Sequence, residues 1–239
     1  MALLLFITPK VLADAECLAV EQAFASNEVE KLAALTLQNP QWQALQQFRL
    51  AAIYIPAEQN RLARQAVKAG LVITNKALQT SPDNVEMLLL GAMLDGQMLL
   101  ISPWRFLHNG RRGLKRLRSA ERLDHNNPRA ALIRGTALVV LPAFFGGNAR
   151  SAQQMFAQAL TVTDTHGKRF ADSELCSRGA WAQVDLLNWL GRAHAKLDEH
   201  AAAAAAYQQA LQRSPDNHWV QLAIEGRGYN WDNAPEPDF

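Results

Sequence analysis

The side chains of this chain with chemistry to offer are six histidines, two cysteines and one run of cations. Metal ligation needs histidines or cysteines at close, regular spacing, such as i and i+4 on a helix or the paired spacing of a zinc finger. His108, His125, His166, His194, His200 and His218 stand singly. The nearest pair, His194 and His200, falls on either side of an expected turn. Cys17 and Cys176 are too far apart to read as a ligand pair. A serine nucleophile in a Gly-x-Ser-x-Gly elbow, a phosphate-binding glycine loop and a cysteine-protease signature are all missing from the sequence. The reading is a non-catalytic chain with no cofactor and no metal.

Binding chemistry is better represented. Between Trp104 and Arg118 lie Arg105, Arg111, Arg112, Lys115, Arg116 and Arg118 with no acid among them, while Trp104, Leu107, Leu114 and Leu117 recur at helical spacing. That pattern describes an amphipathic basic helix with its apolar stripe inward. Its two readings are a patch for an acidic protein or an anionic membrane surface, and a solvated face whose charges pair with acids on neighbouring elements. No nucleic-acid partner is expected: the formal net charge is +2 over 239 residues, so electrostatic function rests on local clustering. Arg134 stands in a nearly all-apolar stretch, 128–141, where a buried guanidinium needs a carboxylate from a ligand or from the protein.

The elements that would position these residues are announced by a near-duplicate nonapeptide. Lys76-Ala77-Leu78-Gln79-Thr80-Ser81-Pro82-Asp83-Asn84 returns as Gln209-Ala210-Leu211-Gln212-Arg213-Ser214-Pro215-Asp216-Asn217. Counting back from Pro215, Leu187, Leu190, Gly191, Ala203, Tyr207, Ala210 and Pro215 fall on the apolar, glycine, small, aromatic and proline positions of a helical hairpin of about 34 residues, the tetratricopeptide period. Gly191 and Ala203 let two helices approach, Tyr207 fills the gap, and Pro215 ends the second helix. The same register at the first copy gives Tyr54, Ala57, Glu58, Arg61, Gly70, Thr74, Ala77 and Pro82, so only its second helix conforms. With 49% hydrophobic residues and almost no strand-type alternation, the expectation is an all-α, tetratricopeptide-like solenoid of about ten helices. Helices are expected near 15–38, as one helix or two short ones, and near 41–54, 57–79, 84–99, 102–123, 128–141, 148–162, 173–197, 198–214 and 217–226. The chain then divides into a signal segment 1–15, one repeat domain 16–232 with its best unit at 184–217, and a tail 233–239.

The apolar start, Ala2 to Thr8, followed by small residues at Ala13 and Ala15, favours export to the periplasm, with a cytoplasmic first helix as the alternative. Glu16 stands where a lipoprotein signal needs a small residue before Cys17. In an exported chain Cys17 and Cys176 could pair; in the cytosol they would be small buried hydrophobes.

One further segment is specific. Gly113-Leu114-Lys115, Asn127-Pro128, Arg134-Gly135, the corner Pro142-Ala143-Phe144-Phe145-Gly146-Gly147 and then Ala152, Phe156 and Ala159 together resemble the TatT family, the T component of TRAP-type transporters. The resemblance implies a periplasmic helical-repeat protein that associates with a substrate-binding protein and offers an apolar path to a small organic ligand. Carried over, Pro142, Phe144, Phe145, Gly146 and Gly147 shape a lining corner and Arg134 meets a ligand carboxylate; read from the residues alone, both phenylalanines are core and Arg134 reaches a helix end or a buried acid. Two hypotheses follow. In one, an adaptor holds a partner protein on the concave face through Arg134 and Asn188, with Trp189 nearby. In the other, a carrier encloses a small apolar or carboxylate-bearing ligand near Arg134, Phe144 and Phe145.

Overall fold

The computed structural model describes residues 9–102, 104, 106–167 and 182–226. Among them there are eleven α-helices and no strand. The chain opens with α1 (Pro9–Ala25) and the short α2 (Val29–Ala34), then forms α3 (Pro40–Tyr54) and α4 (Asn60–Thr80). Next come α5 (Val85–Ile101), α6 (Arg111–Leu123), α7 (Pro128–Val140) and α8 (Ala149–Gly167). The chain continues through α9 (Ala182–Ala195) and α10 (His200–Arg213) to α11 (His218–Ile224). The expected signal segment to residue 8, the tail 233–239 and the start of the expected helix 173–197 lie outside the described residues. Helix α1 runs across the expected boundary at residue 15, and Cys17, Val20, Ala23 and Phe24, which it buries, all follow that boundary.

The repeated tetrapeptide acts at the start of the next helix as much as at the end of the last. Asn84 and Asn217 cap α5 and α11 by accepting the amide hydrogens of Met87 and Val220 at 3.1 and 3.2 Å. Asn39 and Asn127, each followed by proline, do the same for α3 and α7 through Gln41 and Arg129. Proline suits the first helical turn because its missing N–H is unsatisfied there anyway. Each cap contributes about 1 kcal/mol.

Four antiparallel hairpins result, α3 with α4, α5 with α6, α7 with α8 and α9 with α10, stacked in solenoid fashion. The first helices α3, α5, α7, α9 and α11 form one layer, each packing on the next. In the hairpin α9–α10 the expected packing is realised: a Cβ on Gly191 would stand 2.3 Å from the Tyr207 ring, so only glycine admits that ring. The first copy of the repeat departs from its counted register. Helix α4 has 21 residues where α10 has 14, and counting back from Pro82 therefore lands in a turn. Ala57 and Glu58 occupy that turn, Glu58 with φ +55°, and Arg61 lies in the first turn of α4 instead of closing a first helix. The expected helix from 102 is also shorter, since a π-helical turn, Phe106–Gly110, precedes α6.

Helix α1 lies against the first-helix layer. Arg49 of α3, 3% exposed, donates from Nε and Nη2 to Glu21 of α1 at 2.9 and 2.8 Å. Its Nη2 also reaches Asp185 of α9 at 2.8 Å, and its guanidinium lies 4.2 Å from the centre of the Phe24 ring. Arg49 thus links the first and fourth hairpins to α1. Burial holds the Glu21 carboxyl above its ordinary value while Arg49 pulls it down. Burial also lowers the Arg129 guanidinium to about 9, against the pull of Glu21. The main core cluster runs from Cys17 to Ala223, and a smaller one joins α5, α6 and α7 through Leu89, Leu117 and Ala130.

Candidate functional site

The corner between α7 and α8 is rigidly built. Leu141 leaves the helix in an extended conformation, Pro142 follows, and Ala143–Phe145 makes one 3-10 turn. Gly146 takes φ +92°, a left-handed angle that costs glycine little. A Cβ on Gly147 would lie 1.8 Å from the Leu141 carbonyl oxygen, so no side chain fits there. The amides of Gly147 and Asn148 donate to Pro142 and Leu138 at 3.0 and 2.8 Å, and the Asn148 side chain caps α8 through Ser151 at 2.9 Å. Behind the corner, Gly135 of α7 receives the fully buried ring of Phe156, with Ala152 and Ala159 beside it in the core. The residues that carry the TatT resemblance are therefore mostly packing residues.

The corner presents its aromatic outward. Phe144 is 81% exposed and Leu141 is also at the surface, so Phe144 does not line an enclosed pocket. The side chain of Phe145 lies outside the described residues. Arg134 is engaged by the protein itself: Nε and Nη2 form a fork on Glu121 of α6, with Nη2 to Oε2 at 2.6 Å. That hydrogen bond raises the Arg134 pKa, burial opposing it. The carboxylate that an arginine in this apolar helix required is thus supplied from α6.

Asn188 and Trp189, expected with Arg134 to contact a partner on the concave face, lie on α9. Asn188 is 8% exposed, and its Oδ1 accepts no hydrogen bond from the described residues. Trp189 is half-buried, with the Arg192 guanidinium 5.5 Å from its ring centre. Helix α1 packs on α3 and meets α11 at Trp219, and Arg49 of α3 joins Glu21 of α1 to Asp185 of α9.

The basic run divides in two. Asp95 of α5 is fully buried and accepts from Arg112 and from Arg116 at 2.7 Å. Arg116 donates further to the Gly91 carbonyl and to Asn75 of α4. These two arginines fasten α4, α5 and α6 together. Arg111, Lys115 and Arg118 are exposed, and Arg105 lies outside the described residues. Helix α4 adds Arg61, Arg64 and Lys68, a stripe at helical spacing that the sequence reading passed over. Its signal was visible, since residues 59–82 contain no acid. The apolar members of the run are not all turned inward as expected: Leu117 is buried, whereas Trp104, Leu107 and Leu114 are exposed.

Among the described residues no group of histidines, cysteines and acids is placed to hold a metal ion. His194 instead meets Glu199 at 2.6 Å in the α9–α10 turn, and Arg150 of α8 reaches the same carboxylate at 2.6 Å. Cys17 is fully buried and disulfide-bonded, and Cys176, the chain's other cysteine, lies outside the described residues. No described helix is long and apolar enough to cross a membrane.

No protein-family model matches the chain, and no curated protein matches it. Among solved structures it is similar to the HusA haemophore from Porphyromonas gingivalis, with 21% identity and a TM-score of 0.49 over 78% of this chain and 90% of that one.

Proposed function

We propose that this chain is a non-catalytic adaptor that works outside the cytoplasm and holds a partner protein at the α7–α8 corner. The observation that carries the reading is Phe144, a large aromatic 81% exposed on a corner whose backbone is fixed by Gly146, Gly147 and the Asn148 cap. An exposed aromatic on a pre-organised turn is a low-entropy anchor for a partner's pocket. The disulfide at Cys17 supports an oxidising compartment, in which such bonds persist. The resemblance to the TatT family supplies the class of partner, a periplasmic substrate-binding protein of a TRAP-type transporter.

The adaptor reading stands ahead of the small-ligand carrier because the two groups assigned to a ligand are otherwise disposed. Arg134 spends its fork on Glu121, and Phe144 faces solvent. Native mass spectrometry of the mature protein taken from the periplasm, before and after denaturation, separates the two. The adaptor reading expects the bare chain mass, alone or with a second polypeptide. A co-purified small molecule, haem included, that leaves on denaturation would overturn it.

A further inference from the structure

The outer face of α4 and α6 carries a second surface with chemistry of its own. On α4, Arg61, Arg64 and Lys68 recur at helical spacing, with exposed Val72 one turn further on. On α6, Arg111, Leu114, Lys115 and Arg118 form a matching exposed stripe. The segment that joins α5 to α6 adds exposed apolar side chains, Trp104 at 75% and Leu107 at 66%, after Leu100 at the end of α5. Trp104 shares a small cleft of about 70 Å³ with Arg64, Lys68, Met98 and Ser102, which ties the α4 stripe to the turn before α6. A shallower depression of about 280 Å³ lies along Asn60, Arg61, Arg64, Gln65 and Lys68.

Neither 59–82 nor 96–118 contains an acid. Asp95, just before the second segment, is fully buried and consumed by Arg112 and Arg116. None of Arg61, Arg64, Lys68, Arg111, Lys115 and Arg118 has an acidic partner among the described residues. Exposed large apolar side chains on a folded chain are ordinary when scattered and informative when grouped. Here they are grouped and flanked by cations. Tryptophan and leucine amid arginine and lysine suit a boundary that is apolar below and anionic above, where the rings and stems enter the acyl region and the charges stay with the headgroups.

We infer that the α4–α6 outer face docks this protein on an anionic phospholipid bilayer surface. The occupant is argued from charge complementarity together with the protruding Trp104 and Leu107. Basic residues near an anionic leaflet each add to attraction, and shallow apolar insertion supplies the second signal that stable peripheral attachment needs. The corner at Phe144 is not part of this face, so the two readings stand or fall separately. Together they describe an adaptor that rests on a membrane and presents its corner to a partner.

The test is co-sedimentation of the mature, disulfide-intact protein with phosphatidylcholine vesicles lacking or containing phosphatidylglycerol. The expected result is binding only when phosphatidylglycerol is present, weakening as salt rises. Arg111→Glu with Lys115→Glu and Arg118→Glu should reduce binding at least about tenfold, and Trp104→Ala with Leu107→Ala should reduce it by a comparable factor. Phe144→Ala should leave it unchanged. Helicity and thermal midpoint establish that each variant is folded; if the reversals unfold the chain, the three glutamine substitutions replace them. Absence of binding to phosphatidylglycerol vesicles at low salt would overturn the inference. So would loss on charge removal with indifference to Trp104→Ala and Leu107→Ala, which is the behaviour of a purely electrostatic surface for an acidic protein.

Discussion

Trp219 of α11 stacks on Phe24 of α1 with ring centroids 5.3 Å apart and donates its indole N–H to the Phe24 carbonyl at 2.9 Å, although 195 residues separate them. The last helix of the described chain is thereby joined to the first. A solenoid whose repeats touch only their neighbours unfolds by fraying from its ends. This contact, with the Arg49 bridge from Glu21 to Asp185, makes the two ends one cooperative unit. Trp219→Ala is expected to cost about 2 kcal/mol of stability, less than a fully buried tryptophan because the ring is half-exposed. Hydrogen exchange should quicken in α1 and α11 together. Loss of protection in α11 alone would contradict the closure.

The Glu21 carboxyl gives a pH signature. Its pKa is raised above 4.5 by burial, against the pull of Arg49, so the folded chain binds this proton more tightly than the unfolded chain does. The stability it contributes is full below 4.5 and is lost as pH rises through the raised value. Glu21→Gln should flatten that part of the stability curve, read as denaturant midpoint against pH. An unchanged slope would show that Glu21 is not the titrating group.

Gly191→Ala forces a methyl group onto the Tyr207 ring and Gly135→Ala forces one onto Phe156, each at 2.3 Å before relaxation. Both are expected to destabilise by about 1–3 kcal/mol, as overpacked cores do. Making Tyr207→Leu in the Gly191→Ala background should recover part of the loss, since the ring is what the methyl group meets. A double variant no better than Gly191→Ala alone would contradict this packing.

Cys17 is expected to resist thiol alkylation until reduced, and reduction should lower the thermal midpoint, disulfide loss commonly costing about 2–4 kcal/mol. Two thiols labelled in the unreduced, denatured protein would contradict the bridge.

Much of the helical architecture could be read directly. Gly191, Ala203, Tyr207 and Ala210 announced a close-packed hairpin because close approach demands small residues facing a ring, and the four buried positions are used in that way. Asparagine before a helix, with or without proline, likewise has a local cause and was visible locally. What failed depended on length or distance. The two additional turns of α4 displaced the counted register, since a period fixed at one repeat says nothing of an insertion in another.

The candidate sites were harder for the same reason. Arg134 could be seen to need a carboxylate, but nothing local named Glu121 on the preceding helix. Arg112 and Arg116 looked available because their run contains no acid, while Asp95 waits on α5. The approach of Arg49 on α3 to Asp185 on α9 is a long-range contact that no single segment announces. Phe144 sits among apolar residues and reads as core; only the turn geometry sends it outward.

The measurement that bears most directly on the adaptor account is photo-crosslinking in living cells, with a benzoylphenylalanine placed at Phe144 and, separately, at exposed Gln158 on α8 and exposed Ala204 on α10. The account predicts one discrete crosslinked partner from position 144, identified by mass spectrometry as a periplasmic substrate-binding protein, and none from the two control positions. A discrete partner from α8 or α10 with a silent position 144 would contradict it.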